Sequence, residues 1–170
     1  PLRLVAVDLY RDVHKGIRAE LFALTERAGS LDASLRTERA DFAAQVGGVV
    51  ELLVSHAEHE DGHVQPAIER HLPALAEQIE ADLHELEARI ATLRDQALDA
   101  VDTTGNARWH LHRLYVDIAA FTSTYLAHQD LEERVVLPAL EEVIGSVAPL
   151  GSHPASDGAL APDEMALSLA

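Results

Sequence analysis

The sequence predicts an all-α protein: an up-down-up-down bundle of four long helices, followed by a non-regular C-terminal tail. Apolar residues recur at alternating spacings of three and four along four stretches of the chain, as they do in helices packed on one side. Short breaks separate these stretches, and no segment alternates apolar and polar residues as a strand does. Ala, Leu, Val, Glu and Arg dominate the composition, which also favours helices over sheets.

The first two predicted helices cover about residues 4–27 and 37–71. Gly29 and Ser30 end the first helix, and Thr37 is a suitable N-cap for the second. The packed stripe of the first helix includes one histidine: Tyr10, His14, Ile17, Leu21 and Leu24. The stripe of the second helix becomes polar toward its end: Phe42, Val46, Val49, Leu53, His56, Glu60 and His63.

The other two predicted helices cover about residues 73–98 and 107–144, with Pro73 suited to a first turn. The third helix has an apolar stripe: Ile79, Leu83, Leu86, Ile90 and Leu93. The fourth again carries polar residues near its end: Leu111, Leu114, Ile118, Phe121, Tyr125, His128, Glu132 and Val135. Residues 1–145 therefore form one predicted bundle domain, and residues 146–170, rich in Gly, Pro, Ser and Ala, form a flexible tail.

The composition limits the partners and cofactors to be expected. A chain of 170 residues is long enough for one domain with a sizeable core. Its net charge of −16 argues against binding to nucleic acid or to an anionic membrane. Because there is no cysteine, any metal must bind nitrogen and oxygen atoms. The chain has no apolar run of roughly 20 residues and no signal-peptide layout at its start, so a cytoplasmic protein is expected, with its oligomeric state left open.

The second and fourth helices share a motif in which a glutamate follows a histidine by four residues. His128 and Glu132 repeat His56 and Glu60 at a distance of 72 residues, and an acid, a proline and an alanine that follow also match. Residues four apart lie on one face of a helix, so each pair projects together from an otherwise apolar stripe. The chain is therefore predicted to contain two similar helical hairpins.

The first and third helices resemble each other more weakly. The tripeptide Asp-Val-His that ends at His14 resembles the tripeptide Asp-Leu-His that ends at His84, 70 residues later. At a rise of about 1.5 Å per residue, the four histidines of the two hairpins lie within about one or two turns of a common level. They are His14, His56, His84 and His128.

Carboxylates that lie beside imidazoles at one level of an apolar core need a partner for their charge. A buried carboxylate without a partner either costs a large free energy or takes up a proton, whereas divalent cations would satisfy two histidines and two glutamates together. Nitrogen and carboxylate ligands suit iron, and also manganese or zinc. A ferritin-like site needs Glu-x-x-His on two helices. It is disfavoured because only Glu60 and His63 have that spacing.

The order of motifs is His, His-x-x-x-Glu, His, and His-x-x-x-Glu-Glu with a proline after it. This order resembles the hemerythrin-like (HHE) cation-binding family over about residues 5–144. The resemblance implies a four-helix bundle around two iron ions that are joined by two glutamates and an oxo or hydroxo bridge. The implied ligands are His14, His56, Glu60, His84, His128 and Glu132. The first two histidines would serve mainly one iron, and the last two the other. Such proteins bind dioxygen, and bacterial members are linked to nitric oxide, peroxide and iron handling.

One departure from the family changes the expected chemistry. Oxygen-carrying hemerythrins have a second histidine four residues after the third-helix ligand, and this chain has Ala88 there. Each iron would then keep an open position unless an accessory residue fills it. The accessory candidates are Tyr10, His59, His63, Glu87 and Tyr125.

A more open site favours redox turnover over reversible oxygen carriage. We therefore expect a protein that binds or reacts with hydrogen peroxide, nitric oxide or dioxygen in stress protection. Weak catalase-like, peroxidase-like or nitric-oxide-peroxidase activity is compatible with such a site, and the sequence leaves open whether the protein is an enzyme. The alternatives are a sensor of oxygen, nitric oxide or iron that acts through a partner, and an iron store.

Overall fold

The computed structural model describes residues 10–147, and this part of the chain is helical apart from short connections, with no strand. The helices in chain order are α1 (Arg11–Ser30), α2 (Arg36–His63), α3 (Gln65–His71), α4 (Pro73–Asp102), α5 (Ala107–Leu131) and α6 (Leu137–Val147). A π-helical segment, Glu132–Val136, joins α5 to α6. The prediction of an all-α protein is confirmed. Within residues 10–147, no helix combines the length and the apolar character needed to cross a membrane.

The four long helices, α1, α2, α4 and α5, form a helical bundle through a closed ring of contacts. α1 packs against α2 and α5, and α4 packs against the same two helices from the other side. The shorter α3 contacts α4 and α6 at one end of the bundle. Each long helix thereby turns one stripe of side chains toward a shared interior.

Two apolar clusters fill this interior. The larger cluster contains residues of all four long helices, among them Leu24, Phe42, Ile90 and Phe121. The smaller cluster lies toward the end formed by α3 and α6 and contains Tyr10, Val64, Ile68, Ala76, Ile79, Val136, Leu137 and Leu140. The long helices run from one cluster to the other. A residue that lies on such a helix between the two clusters is therefore in the middle of the bundle.

A buried arginine links two connections at the opposite end of the bundle. The guanidinium of Arg39 donates hydrogen bonds to the backbone oxygen of Ala33 at 2.6 Å and of Val101 at 3.0 Å. The second oxygen belongs to the last turn of α4, where carbonyls lack helical partners. The side chain therefore stabilises both the α1–α2 connection and the end of α4.

Two helices predicted as continuous are interrupted, and a proline follows each interruption. The second predicted helix is broken at Val64, between α2 and α3, two residues before Pro66. The fourth changes to π-helical geometry before Pro138, and the backbone N–H of Leu137 bonds to the carbonyl of Glu132 five residues earlier. Proline has no N–H and its ring collides with the carbonyl four residues back, so the regular helix opens ahead of it.

Helix ends differ from the prediction by a few residues. α2 begins at Arg36, with Leu35 rather than Thr37 in the N-cap position. α4 continues to Asp102, beyond the predicted end near residue 98. α6 reaches Val147, two residues past the predicted domain boundary. The predicted helical residues 4–9, and the tail from residue 148 onward, lie outside the described residues.

Candidate metal centre

Five polar side chains form a layer between the two apolar clusters. They are His14 from α1, His56 and Glu60 from α2, His128 from α5 and Glu132 at the start of the π-helical segment. All five are buried, with His14 at 0% and Glu132 at 1% relative exposure. On α2, the layer begins after Leu53 of the larger cluster and ends before Val64 of the smaller one. The helical spacing of three to four residues thus points each polar side chain to the bundle interior.

The imidazole nitrogens of α1 and α2 converge on one carboxylate. The Nε2 atoms of His14 and His56 are 3.2 Å apart. Oε1 of Glu60 lies 3.3 Å from Nε2 of His56 and 3.9 Å from Nε2 of His14. These three residues form a first group in which all ligating atoms lie within 4.8 Å of one another.

A second group shares a residue with the first. It consists of Glu60, His128 and Glu132, again with ligating atoms within 4.8 Å of one another. Oε1 of Glu132 is 3.3 Å from Nε2 of His128, while its other oxygen is 3.6 Å from Nε2 of His14. Both glutamates therefore face both groups, which is the arrangement that two bridged cations require.

The donor atoms fit a metal because several of them are otherwise unsatisfied. Within residues 10–147, both carboxylate oxygens of Glu60, Oε2 of Glu132 and Nδ1 of His128 have no hydrogen-bond partner. Unpaired buried acceptors are costly, and a cation would satisfy them. Neighbouring ligands on an ion with bonds of about 2.1 Å lie about 3 Å apart. The closest pairs here, at 3.2 and 3.3 Å, are near that spacing.

The protonation of the layer reflects its burial. Burial is the main cause that raises the pKa of Glu60 to about 7, and the negative charge of Glu132 adds to it, although His14 acts in the opposite direction. Burial, assisted by His14 and His128, lowers the pKa of His56 to about 4. The imidazole of His56 is therefore neutral near pH 7, which is the state that binds metals.

Glu133, the residue after Glu132, contacts the ring nitrogen of His14 that faces away from the layer. Nδ1–H of His14 donates a hydrogen bond of 2.9 Å to Glu133, and Arg18 donates another of 2.7 Å to the same oxygen. Burial alone would raise the pKa of Glu133, but these two hydrogen bonds outweigh it and lower the pKa. With its proton on Nδ1, His14 turns the lone pair of Nε2 toward the layer. The sequence did not single out Glu133 from the neighbouring acids for this role, although the doubled acid after His128 was a signal for it.

His84 is not brought to the layer. It is exposed on α4 and belongs to neither group, so its expected place beside His128 is corrected. The buried stripe of α4 passes through Ile79 and Leu86. A residue two positions before Leu86 points about 200° around the helix from it, toward solvent. The short tripeptide match with α1 was misleading because it ignored this stripe.

The accessory candidates divide into two tyrosines near the layer and three residues outside both groups. The ring of Tyr10 stacks on His14 at 4.6 Å between centroids, and the ring of Tyr125 meets His128 edge-on at 6.0 Å. Burial, with the charges of Glu60 and Glu132, raises the pKa of both phenols far above the usual range.

The other three candidates lie on helix surfaces. His63 is exposed, and its ring stacks on that of the half-buried His59 at 4.3 Å. Nδ1–H of His63 donates a hydrogen bond to the backbone oxygen of His59. Glu87 is exposed and lines a small apolar cavity together with Leu83 and Tyr125. Direct metal ligation by these residues stays a prediction that the described geometry does not favour.

A helical bundle with a buried layer of imidazoles and shared carboxylates defines a class of cation-binding protein. In agreement with this, the family model of the hemerythrin HHE cation binding domain matches residues 5–140. The chain belongs to this hemerythrin HHE family. No curated protein and no solved structure matches the chain.

Proposed function

We propose that the protein binds two iron ions in the polar layer and uses them to bind or react with small oxidants in stress protection. The candidate ligands are hydrogen peroxide, nitric oxide and dioxygen. The proposal also includes an up-down-up-down order of the four long helices. The observation that carries the proposal is the position of the two glutamates. Glu60 belongs to both groups, and Glu132 has one oxygen near His128 and the other near His14. A carboxylate with one oxygen toward each of two cations is the element that a di-iron site needs.

The donor set supports iron. It contains imidazole nitrogens and carboxylate oxygens only, and the chain has no cysteine that would favour a thiolate site. Bound iron would supply the redox change for reducing peroxide and the affinity for nitric oxide or dioxygen. Manganese and zinc fit the same donors, so the identity of the metal is part of the proposal.

The surrounding side chains would control protons and water. The phenols of Tyr10 and Tyr125 keep their protons because burial and the two glutamates raise their pKa values. Each O–H is therefore available to donate a hydrogen bond to an oxygen of a small ligand. The apolar clusters on both sides of the layer limit the entry of water.

The uneven donor set favours reaction over carriage. The first group contains two imidazoles, and the second contains only that of His128. A cation in the second group would have one imidazole ligand in place of two, which leaves more room for a small molecule. This supports peroxide or nitric oxide chemistry ahead of reversible oxygen storage.

The test compares iron-loaded and zinc-loaded protein. Anaerobic loading should give about two irons per chain, and the iron form should remove hydrogen peroxide whereas the zinc form should not, since zinc has no redox change. The zinc form keeps the same ligands and so controls for binding alone. Equal peroxide consumption by both forms would contradict the redox proposal and favour a sensor or binding role.

A pair of variants tests the bridging carboxylates. Glu60→Gln should lose both ions, because the shared residue serves both groups. Asp61→Asn removes the same charge from the neighbouring exposed position and should keep two irons. Two irons retained in Glu60→Gln would show that this carboxylate does not bridge.

A further inference from the structure

The end of the bundle opposite to α3 and α6 contains an open cavity of about 670 Å³. This end cavity is lined by the last turn of α1, the connection from α1 to α2 and the first turns of α5. Gly29 at its edge lies about 22 Å along α1 from His14 of the polar layer, and residues of the larger cluster lie between them. Small-molecule sites have volumes of about 300–1,000 Å³. The end cavity is therefore a candidate site separate from the metal centre.

Hydrogen bonds hold the wall that the α1–α2 connection provides. The backbone oxygen of Ala33 accepts a bond of 2.6 Å from the buried Arg39. Oδ1 of Asp32 accepts bonds from the backbone N–H of Ser34 at 2.8 Å and from its hydroxyl at 2.7 Å. The N–H of Asp32 donates to Glu38 at 3.0 Å. The end cavity is therefore preformed, and a ligand does not have to order this wall when it binds.

The wall that α5 provides carries three side chains able to donate hydrogen bonds. Arg108, His112 and Tyr115 follow one another at spacings of four and three, so they lie on one face of the helix. Within residues 10–147, none of their side-chain polar atoms makes a hydrogen bond or an ion pair. The rings of His112 and Tyr115 lie 6.3 Å apart between centroids. These donors can therefore bind a ligand without the loss of an existing hydrogen bond.

The end cavity also contains a negative charge. Hydrogen bonds from Ser34 lower the pKa of Asp32, and the charge of Arg108 acts in the same direction, although desolvation opposes them. The carboxylate is therefore ionised near pH 7. Asp32 and Arg108 nevertheless form no ion pair with each other in the described part of the chain. The end cavity is thus lined by one group of each charge, and neither group neutralises the other by direct contact.

We propose that the end cavity binds a small zwitterion, namely an α-amino acid with an apolar side chain. The planar guanidinium of Arg108 suits a carboxylate, which it can bind with two parallel hydrogen bonds. Asp32 suits the ammonium group, and Leu31 and Leu111 supply apolar surface for the side chain. Asp32 would repel a simple anion and Arg108 would repel a simple amine, whereas a zwitterion is attracted by both residues. This site does not depend on the metal in the polar layer.

The experiment is an NMR titration of the full chain with L-leucine, followed at the backbone amides of Asp32 and Ser34 and at the ring of His112. These signals should shift and saturate. Isocaproate is leucine without its ammonium group, and isoamylamine is leucine without its carboxylate. Each should bind at least tenfold more weakly, because each loses one charge-assisted contact. No saturable shift with L-leucine, or equal binding of isocaproate or isoamylamine, would overturn the proposal.

Two variants and a matched control locate the binding site. Arg108→Gln and Asp32→Asn should each weaken L-leucine binding at least tenfold. Arg113→Gln removes the same positive charge from an exposed position of α5, where Arg113 pairs with Asp117 outside the end cavity, and it should bind L-leucine as the wild type does. Far-ultraviolet circular dichroism checks that each variant is folded. Unchanged binding in Arg108→Gln or Asp32→Asn, or an equal loss in Arg113→Gln, would overturn the assignment.

Discussion

At the residue scale, the two consecutive acids at the start of the π-helical segment differ in their contacts. Glu132 is buried within the layer, and Glu133 joins the outer nitrogen of His14 to Arg18. In the other copy of the motif, Glu60 is buried but the following Asp61 is exposed. The two hairpins therefore share their metal-facing residues and differ in how the imidazoles are oriented.

We predict that Glu133→Ala weakens iron binding about 10- to 100-fold without unfolding the bundle. The variant removes the acceptor that fixes the Nδ1–H form of His14, and loss of such a partner typically has this size of effect. Competition with a chelator measures the affinity. Asp130→Ala, which removes an exposed acid that pairs with Arg134, is the control and should bind iron normally. Equal affinities in the two variants would remove Glu133 from the site.

At the element scale, the π-helical segment explains why both acids turn inward. A π-helical turn takes up more residues than an α-helical turn, and such segments often occur at functional sites. In the first copy of the motif, the helix instead breaks at Val64. Pro66 and Pro138 occupy matching positions in the two copies, so the same cause has produced two different distortions.

The middle of α2 offers a separate test of helix energetics. Gly48 lies on the exposed face of this helix, and a methyl group added there would meet no atom within 4 Å. Gly48→Ala should stabilise the protein by about 0.5–1 kcal/mol because alanine loses less backbone entropy on folding. Thermal unfolding should shift upward by about 2–4 °C, with iron content unchanged.

Gly29 provides the contrast, since a methyl group there would lie 3.3 Å from the ring of Tyr115. We expect a smaller gain, or none, for Gly29→Ala. A gain at Gly29 as large as that at Gly48 would show that backbone entropy outweighs this close contact.

At the scale of the whole molecule, the polar layer interrupts what would otherwise be one continuous core. Without a cation, two glutamates and three imidazoles remain buried between the apolar clusters. Buried groups of like charge are costly unless they are paired or change their protonation. Folding and metal binding should therefore be coupled in this protein.

Removing iron should lower the thermal stability of the whole bundle. A ligand that binds only the folded state adds about 4 kcal/mol when its free concentration is about a thousand times the Kd. Calorimetry with and without a chelator measures this difference, and zinc should restore the higher unfolding temperature. An unfolding temperature that does not respond to metal would contradict binding within the core.

The sequence alone was sufficient to predict features that depend on local residue spacing, namely the long helices and the side chains that share one helix face. The spacing of three and four residues predicted the four long helices, and the repeated His-x-x-x-Glu motif predicted that His56, Glu60, His128 and Glu132 meet. His14 was predicted to join them because it lies on the packed stripe of α1. Their ligation of iron stays a prediction.

The tertiary structure decided that His84 of α4 lies outside the layer, because a helix face is fixed by packing and not by a tripeptide match. It also decided that Glu133, in the π-helical segment, accepts a hydrogen bond from His14, a contact between residues 119 positions apart. Local spacing determines which side chains share a face of a helix. Only the packing of the helices determines which residues of the other helices that face contacts.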